Sequence, residues 1–389
     1  MNSNSNNIWR EYRLEEVVET FIDYRGKTPT KTAFGVPLVT AKIIKNGRLL
    51  QPNEFIDENY YKTWMTRGFP EKNDVLLTTE APLGEVALLN NPKVALGQRV
   101  ITIRGKKGFC DSIFLKYYFQ SPLGQNSLLS RAQGSTVEGI KAAELKKMKI
   151  LMPNYETQIE LSRVLFVLDQ KIDVLLEQNK TLEDLAETYF LKLFEAVSGE
   201  NSGTLGDYID LDPKEKINRN EEYRFFDMKT LSENSMSIAN GLYRIVNSAS
   251  SFRNLDTLLA KITPCLENGK TGFVMNLEDN EVARGSTEFI VMRSKGLVSP
   301  YWIYCLARSK NFRDEAIQSM TGTSGRQRVQ TSQLKNIKVS FNKRDMESFN
   351  EMCKGFFNKV KENSSQVRTL ITLRNLLLPK LMSTEIRLN

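Results

Sequence analysis

Two stretches, one near the middle of the chain and one at its end, carry apolar or small residues at alternating steps of four and three. That spacing lays a stripe along one face of a helix. In the first the stripe is Leu161, Leu165, Leu168, Ile172, Leu175, Asn179, Leu182, Ala186, Tyr189 and Leu193. In the second it is Phe349, Cys353, Phe356, Val360, Asn363, Val367, Leu370, Arg374, Leu377 and Leu381, where only Arg374 breaks the pattern badly. One such stripe is ordinarily the buried face of a single helix; two at matching places predict a helix pair. Run parallel in the repeat register, Asn179 would face Val367 and Asn363 would face Leu175, burying two amides against apolar partners. Run antiparallel with Leu161 opposite Leu381, the two asparagines meet in one layer. The expectation is an antiparallel coiled coil whose register Asn179 and Asn363 set, with the globular halves at opposite ends. Ser198-Gly199 and Pro379 supply plausible helix stops.

The remaining pattern is short and repeats. Apolar runs such as Val36-Pro37-Leu38-Val39, Val86-Ala87-Leu88-Leu89 and Phe289-Ile290-Val291-Met292 are separated by Gly, Pro and Asn, as in mixed α and β structure. At an offset near 188 the chain resembles itself. Asn73 to Leu77 matches Leu255 to Leu259, Gly97 to Ile103 matches Gly285 to Val291, and the predicted helix Ile113 to Tyr118 matches Tyr301 to Leu306. Gly134-Ser135-Thr136 then matches Gly322-Thr323-Ser324, and Leu145 to Ile150 matches Leu334 to Val339, each leading into a long helical stretch. The reading is an α+β protein of two pseudo-repeated globular domains, 1–153 and 199–342, separated by long helices at 154–198 and 343–389.

The chain's 389 residues agree with two or three domains, and 40% hydrophobic with 26% charged residues describes a chain able to bury real cores. A formal charge of +8 favours polyanionic partners. Histidine is absent, which removes the commonest general base and any Ser-His or Cys-His nucleophile pair. Cys110, Cys265, Cys305 and Cys353 lack metal-site spacing and are expected to be reduced packing residues. No apolar run approaches the ~20 residues of a membrane span, and the polar start MNSNSNN lacks a signal-peptide pattern, so no membrane association and a cytoplasmic location are expected.

Catalytic motifs are missing. Asn268-Gly269-Lys270-Thr271 would need a glycine where Pro264 stands to form a phosphate-binding loop, and Asp212-Pro213-Lys214-Glu215 is not a methyltransferase tetrapeptide. Glu278, Asp279 and Glu281 cluster in the manner of magnesium ligands, but the first half has no counterpart, and a solvated turn is the plainer reading.

Several stretches, taken in order, resemble the specificity subunits of Type I restriction-modification enzymes over essentially the whole chain. They are Trp9 to Leu14 with Asp23 to Pro29, Val36 to Val39 with Lys45-Asn46-Gly47, and Asn73 to Leu77 with Gly84 to Ala87, where Asn73 replaces the family's glycine. Gly134-Ser135-Thr136 with Ile140, Leu145 and Ile150 resembles the close of a recognition domain, and Pro153 with Gln158-Ile159 resembles the entry to the central helix. The second copy departs at that entry, with Phe341 and Met346 to Phe349 instead. The resemblance implies a non-catalytic subunit with two target-recognition domains, each reading half of a split double-stranded DNA site. It also implies two separate methyltransferase subunits that carry S-adenosylmethionine, so that this chain holds no cofactor and no metal, and motor-nuclease subunits for restriction.

Reading DNA requires cations for phosphates and forked side chains for base edges. The candidates are Arg25, Lys27, Lys31, Lys42, Arg99, Arg131 and Lys141 in the first half, and Arg253, Lys270, Arg284, Arg326 and Arg328 in the second. Arg326 and Arg328 stand out because they alternate around Gln327 in a glycine-rich loop that can approach phosphate closely. The stripe from Leu161 to Leu193 would span roughly 50 Å, on the order of 14 base pairs at about 3.4 Å each, making the helices a ruler between half-sites. Competing readings are the specificity subunit of a Type IIB-like system whose partner both methylates and cuts, a metal-dependent nuclease, and a coiled-coil protein-binding scaffold.

Overall fold

A computed structural model describes residues 9–134, 138–194, 199–218, 220–323 and 325–383. The chain divides into two compact units, one of Met1–Lys171 with Leu370–Asn389 and one of Ile172–Thr369. The boundary cuts both long helices, which run over Tyr155–Phe194 and Lys343–Leu381 and pack antiparallel. Each unit therefore contains a portion of each helix. Ser198, one of the expected helix stops, lies outside the described residues.

Both units are built on the same frame. In the first, an antiparallel sheet runs in the order Val18–Asp23, Val100–Gly105, Val75–Thr79, Leu83–Leu88. In the second, the order is Ile209–Leu211, Phe289–Ser294, Thr257–Ala260, Thr271–Phe273. A helix follows in each, Ser112–Gln120 capped by the Asp111 side chain and Pro300–Arg308 capped by Ser299. A small two-stranded sheet then closes each unit, pairing Arg10–Arg13 with Lys149–Met152 and Asn201–Thr204 with Lys338–Phe341.

The strand pairing corrects one expected alignment. Val75 pairs with Ile103 and Thr257 with Met292, so Ile103 is equivalent to Met292 and not to Val291. A one-residue slip would turn every side chain of that strand to the opposite face, and the buried pairs confirm the new register. Arg104 grips Asp74 at 2.8 Å as Arg293 grips Asp256 at 2.7 Å, both aspartates being about 1% exposed. The residue before each aspartate is left-handed, with φ of 69° at Asn73 and 74° at Leu255. That conformation is one glycine adopts freely, asparagine readily and leucine only at a cost.

The departing helix entry of the second copy is also accounted for. Gln158 accepts from Asp111 N at 2.9 Å and donates to the Phe109 and Pro153 carbonyls, tying the central helix to the loop before Ser112–Gln120. At the equivalent place the Met346 sulfur accepts from Ser299 N at 3.4 Å.

The long helices bury more than the expected stripe. Leu161, Leu165, Ile172, Leu175, Asn179 and Ala186 are buried as expected, as are Phe349, Cys353, Val360, Asn363, Val367 and Leu381. Asp169, Glu183, Phe190 and Phe357 are buried beside them, whereas Phe356 and Leu168 are only partly covered. Each helix carries a second face that packs on its own globular unit: Phe357 meets Phe273, Tyr301 and Tyr304, and Asp169 meets Lys116 and Tyr117. Within the second unit Asn363 Nδ2 donates to Asn179 Oδ1 at 2.9 Å, and Asn179 Nδ2 donates to Ser364 Oγ at 3.3 Å. Asn363→Leu, which strands the buried Asn179 amide oxygen, is expected to cost roughly 1–3 kcal/mol. The double change to leucine should recover most of that loss; equal unfolding midpoints for single variant and parent would contradict a register role.

Candidate nucleic-acid interface

Strand Val75–Thr79 ends at a rim where several distant segments converge. Thr79 N donates to Arg99 O and Ile140 N donates to Thr79 O, both at 2.9 Å, while Arg25 Nη2 reaches Ile140 O at 2.6 Å. Arg67 holds the turn of Arg25 by donating to the Asp23 and Arg25 carbonyls at 2.5 and 3.2 Å, and Gln98 donates to Thr28 Oγ1 at 3.3 Å. Gln133 and Gly139 pair through their backbones to close a loop that turns at Gly134, where φ is 115°. Arg25, Lys27 and Arg99 are thereby gathered on one rim. Ser135 and Thr136, expected to belong to this loop, lie outside the described residues.

The other first-half candidates are dispersed. Arg131 leans on Glu144 at 3.4 Å, and Lys141 is exposed at the start of the short helix Ala142–Lys146. Lys31 pairs with Glu54 at 2.8 Å, and Lys42 is exposed on the helical turn Ala41–Ile43. These last two lie in the segment that carries the small strands inserted into the frame, Val36–Val39 with Phe55–Ile56 and Ala95–Leu96, and the hairpin Ile44–Lys45 with Arg48–Leu49.

The second unit presents the equivalent rim. Lys261 N donates to Glu288 O at 2.8 Å, Val329 N to Lys261 O at 3.0 Å and Thr263 N to Gln327 O at 3.1 Å. Thr321 and Arg328 close the loop that turns at Gly322, where φ is 125°. Arg326 is exposed there, and Arg328 forks onto Glu288 with Nε at 3.0 Å from both carboxylate oxygens and Nη2 at 2.7 Å from Oε1. That carboxylate further favours the charged guanidinium. Ser324 of this loop is outside the described residues.

Arg284 and Lys270 are more covered than the exposed loop cations expected, and Arg253, which is exposed, lies away from the rim. Arg284 lies in strand Ala283–Gly285, only 5% exposed, and donates to Ala249 O at 3.2 Å. It is drawn in because this unit inserts a different sheet, Leu242–Ile245, Glu222–Phe226, Ala283–Gly285 and Ser250–Phe252, over its core. Arg253 sits at the other end of Thr257–Ala260, its backbone N donating to Asp256 Oδ2 at 2.8 Å and its guanidinium 4.0 Å from Glu215. Lys270 is near the rim, since Ala260 N donates to its carbonyl, but its Nζ turns to Met228 O at 3.3 Å. The acidic cluster resolves into a turn in which Glu281 accepts from Arg224 and from Glu278 N, and among the described residues no group of three or more Cys, Asp or Glu side chains is placed to hold a metal ion.

Sequence reasoning missed Glu80, Glu288, Arg67 and Gln98. Their partners are brought close only by strand pairing, and no local signal marks them.

The two units thus share one frame, each with a glycine-turned, arginine-bearing rim and its own insertions. Residues 6–184 match the family model described as "Type I restriction modification DNA specificity domain". The chain is 25% identical over 417 residues to the Type I restriction enzyme MjaIX specificity subunit of Methanocaldococcus jannaschii, covering 97% of this chain and 94% of that protein. It is 28% identical over 172 residues to the EcoAI specificity subunit of Escherichia coli, covering 43% of this chain and 29% of that one. A crystal structure of a Type I restriction-modification S subunit from M. genitalium shares the fold with a TM-score of 0.60, at 15% identity and 98% coverage of both chains. The match places residues 6–184 in the Type I DNA specificity domain family, and over its whole length the chain is similar to specificity subunits of Type I restriction-modification systems. In such enzymes this subunit is the non-catalytic part and carries no cofactor, S-adenosylmethionine being bound by the partner methyltransferase. Among the described residues no helix is long and apolar enough to cross a membrane.

Proposed function

We propose that the chain directs two methyltransferase subunits, and restriction subunits where present, to a bipartite double-stranded DNA site in the cytoplasm. The domains would be 1–153 and 199–342, each reading one half-site, with 154–198 and 343–389 as spacer helices. The observation that carries this reading is the repeated rim: the framework bonds recur while the side chains they display differ, as two readers of different sequences require. Both rims offer forked donors suited to base edges and backbone turns suited to phosphate. Replacing Arg326 and Arg328 by alanine in the assembled methyltransferase is expected to relax base preference at one half-site and leave the other unchanged, measured by mapping methylated adenines on a randomised target library. Equal relaxation at both half-sites would overturn the two-reader assignment.

A further inference from the structure

The two rims carry an arginine–glutamate pair at the same place in the frame, assembled from different positions. In the first unit Arg99 Nε lies 2.9 Å from Glu80 Oε1. The frame equivalent of Arg99 is Glu288, because the carbonyl of each accepts from the fifth residue after the matching aspartate, Thr79 in one unit and Lys261 in the other. The equivalent of Glu80 is Ile262, which bridges to Arg328 as Glu80 bridges to Gly139. Position 99/288 thus supplies the arginine in one unit and the glutamate in the other. The second unit then takes its arginine from the glycine-turn loop, where the first unit has Gly139.

Stability does not explain such a pair. The side chains of Arg328 and Glu288 are 47% and 25% exposed, those of Arg99 and Glu80 are 52% and 38% exposed, and at that exposure ion pairs contribute little. The geometry explains more. Glu288 occupies Nε and one side of Nη2, leaving the Nη1/Nη2 edge without a partner among the described residues. Two parallel N–H groups on that edge match O6 and N7 of guanine in the major groove. A carboxylate holding the opposite side fixes the side-chain torsions beforehand, so less freedom is lost on contact. In both pairs the glutamate is the more covered partner, as a support beneath a presented arginine should be.

We propose that Glu288 and Glu80 are positioning residues that aim Arg328 and Arg99 at a guanine, one in each half-site. This rests on the reading that the rims face DNA. The test uses the chain assembled with its methyltransferase subunits on a library of randomised bipartite targets, scoring methylation base by base for E288Q, R328K, E80Q and R99K. Expected for E288Q and R328K is a loss of roughly tenfold in preference for guanine at one and the same position of one half-site, with thermal unfolding unchanged. E80Q and R99K should do the same at a position of the other half-site. Unchanged preference, or a uniform loss across all positions, would overturn the positioning role while leaving the DNA-reading assignment intact. If Arg326 and Arg328 replaced together by alanine also alter neither half-site, the broader reading fails as well.

Discussion

Asp169→Ala is expected to destabilise the protein by about 3–5 kcal/mol, because it leaves two cations buried without their anion. Asp169 is 6% exposed on the central helix. It pairs with Lys116, accepts from Tyr117 Oη at 2.8 Å and from Arg374 Nη1 at 2.9 Å, and lies 4.0 Å from Arg48. Burial pushes its carboxyl up, but Lys116 and Arg374 outweigh that and hold it below the ordinary aspartate value. The folded pKa is therefore the lower one, so the cluster's contribution is present above the unfolded value near 3.8 and fades as pH falls through the folded one. Lys116 is 3% exposed and cannot recover hydration when its partner is removed. A combined change of Asp169, Lys116 and Arg374 to apolar residues of similar volume should be far milder than the single change. Denaturant midpoints at unchanged slope would measure both; a loss below about 1 kcal/mol for Asp169→Ala, the size of a surface pair, would show that the cluster is solvated.

Glu183 should make the protein less stable as pH rises through neutrality, and Glu183→Gln should abolish that dependence. Its carboxylate accepts from Met236 N at 2.8 Å and Ser235 Oγ at 3.1 Å, but burial dominates and raises its pKa from 4.5 to about 7. The protonated form is favoured in the fold, so this contribution is full below about pH 4.5 and is lost as pH rises through about 7. The difference corresponds to an upper bound of about 3 kcal/mol. The chain has no histidine, so little else titrates between pH 5 and 8 to mask the slope. Glutamine keeps an acceptor for the loop, and its amide has the Tyr304 hydroxyl nearby, which lacks a partner among the described residues. Urea midpoints at pH 5, 6, 7 and 8 test this; parallel pH profiles for parent and variant would refute it.

Arg374 shows how far the sequence could be read. Within the heptad pattern it was a blemish, because periodicity reports which face is covered and not what covers it. The structure makes it the counterion of Asp169, a residue one step off the stripe. Phe357 and Glu183, each one step off the stripe, are invisible to it for the same reason: each long helix is buried on two faces, and a single stripe describes one. The DNA-reading candidates were harder still. Arg326 and Arg328 are exposed on the loop that glycine and alternating arginines marked locally, whereas Arg284 carries the same charge and is folded into a strand.

By itself the sequence determined the α+β class, the ordered duplication, the two long helices and their antiparallel pairing, since each follows from spacing along one chain and the chemistry of single positions. Tertiary structure alone decided the one-residue shift between Ile103 and Met292, the exchange of arginine and glutamate between the two rims, and the anchoring of Asp169 and Glu183. Those depend on which strand lies beside which and on what a helix face meets. The bonds concerned join residues tens to hundreds of positions apart, and no local preference encodes them.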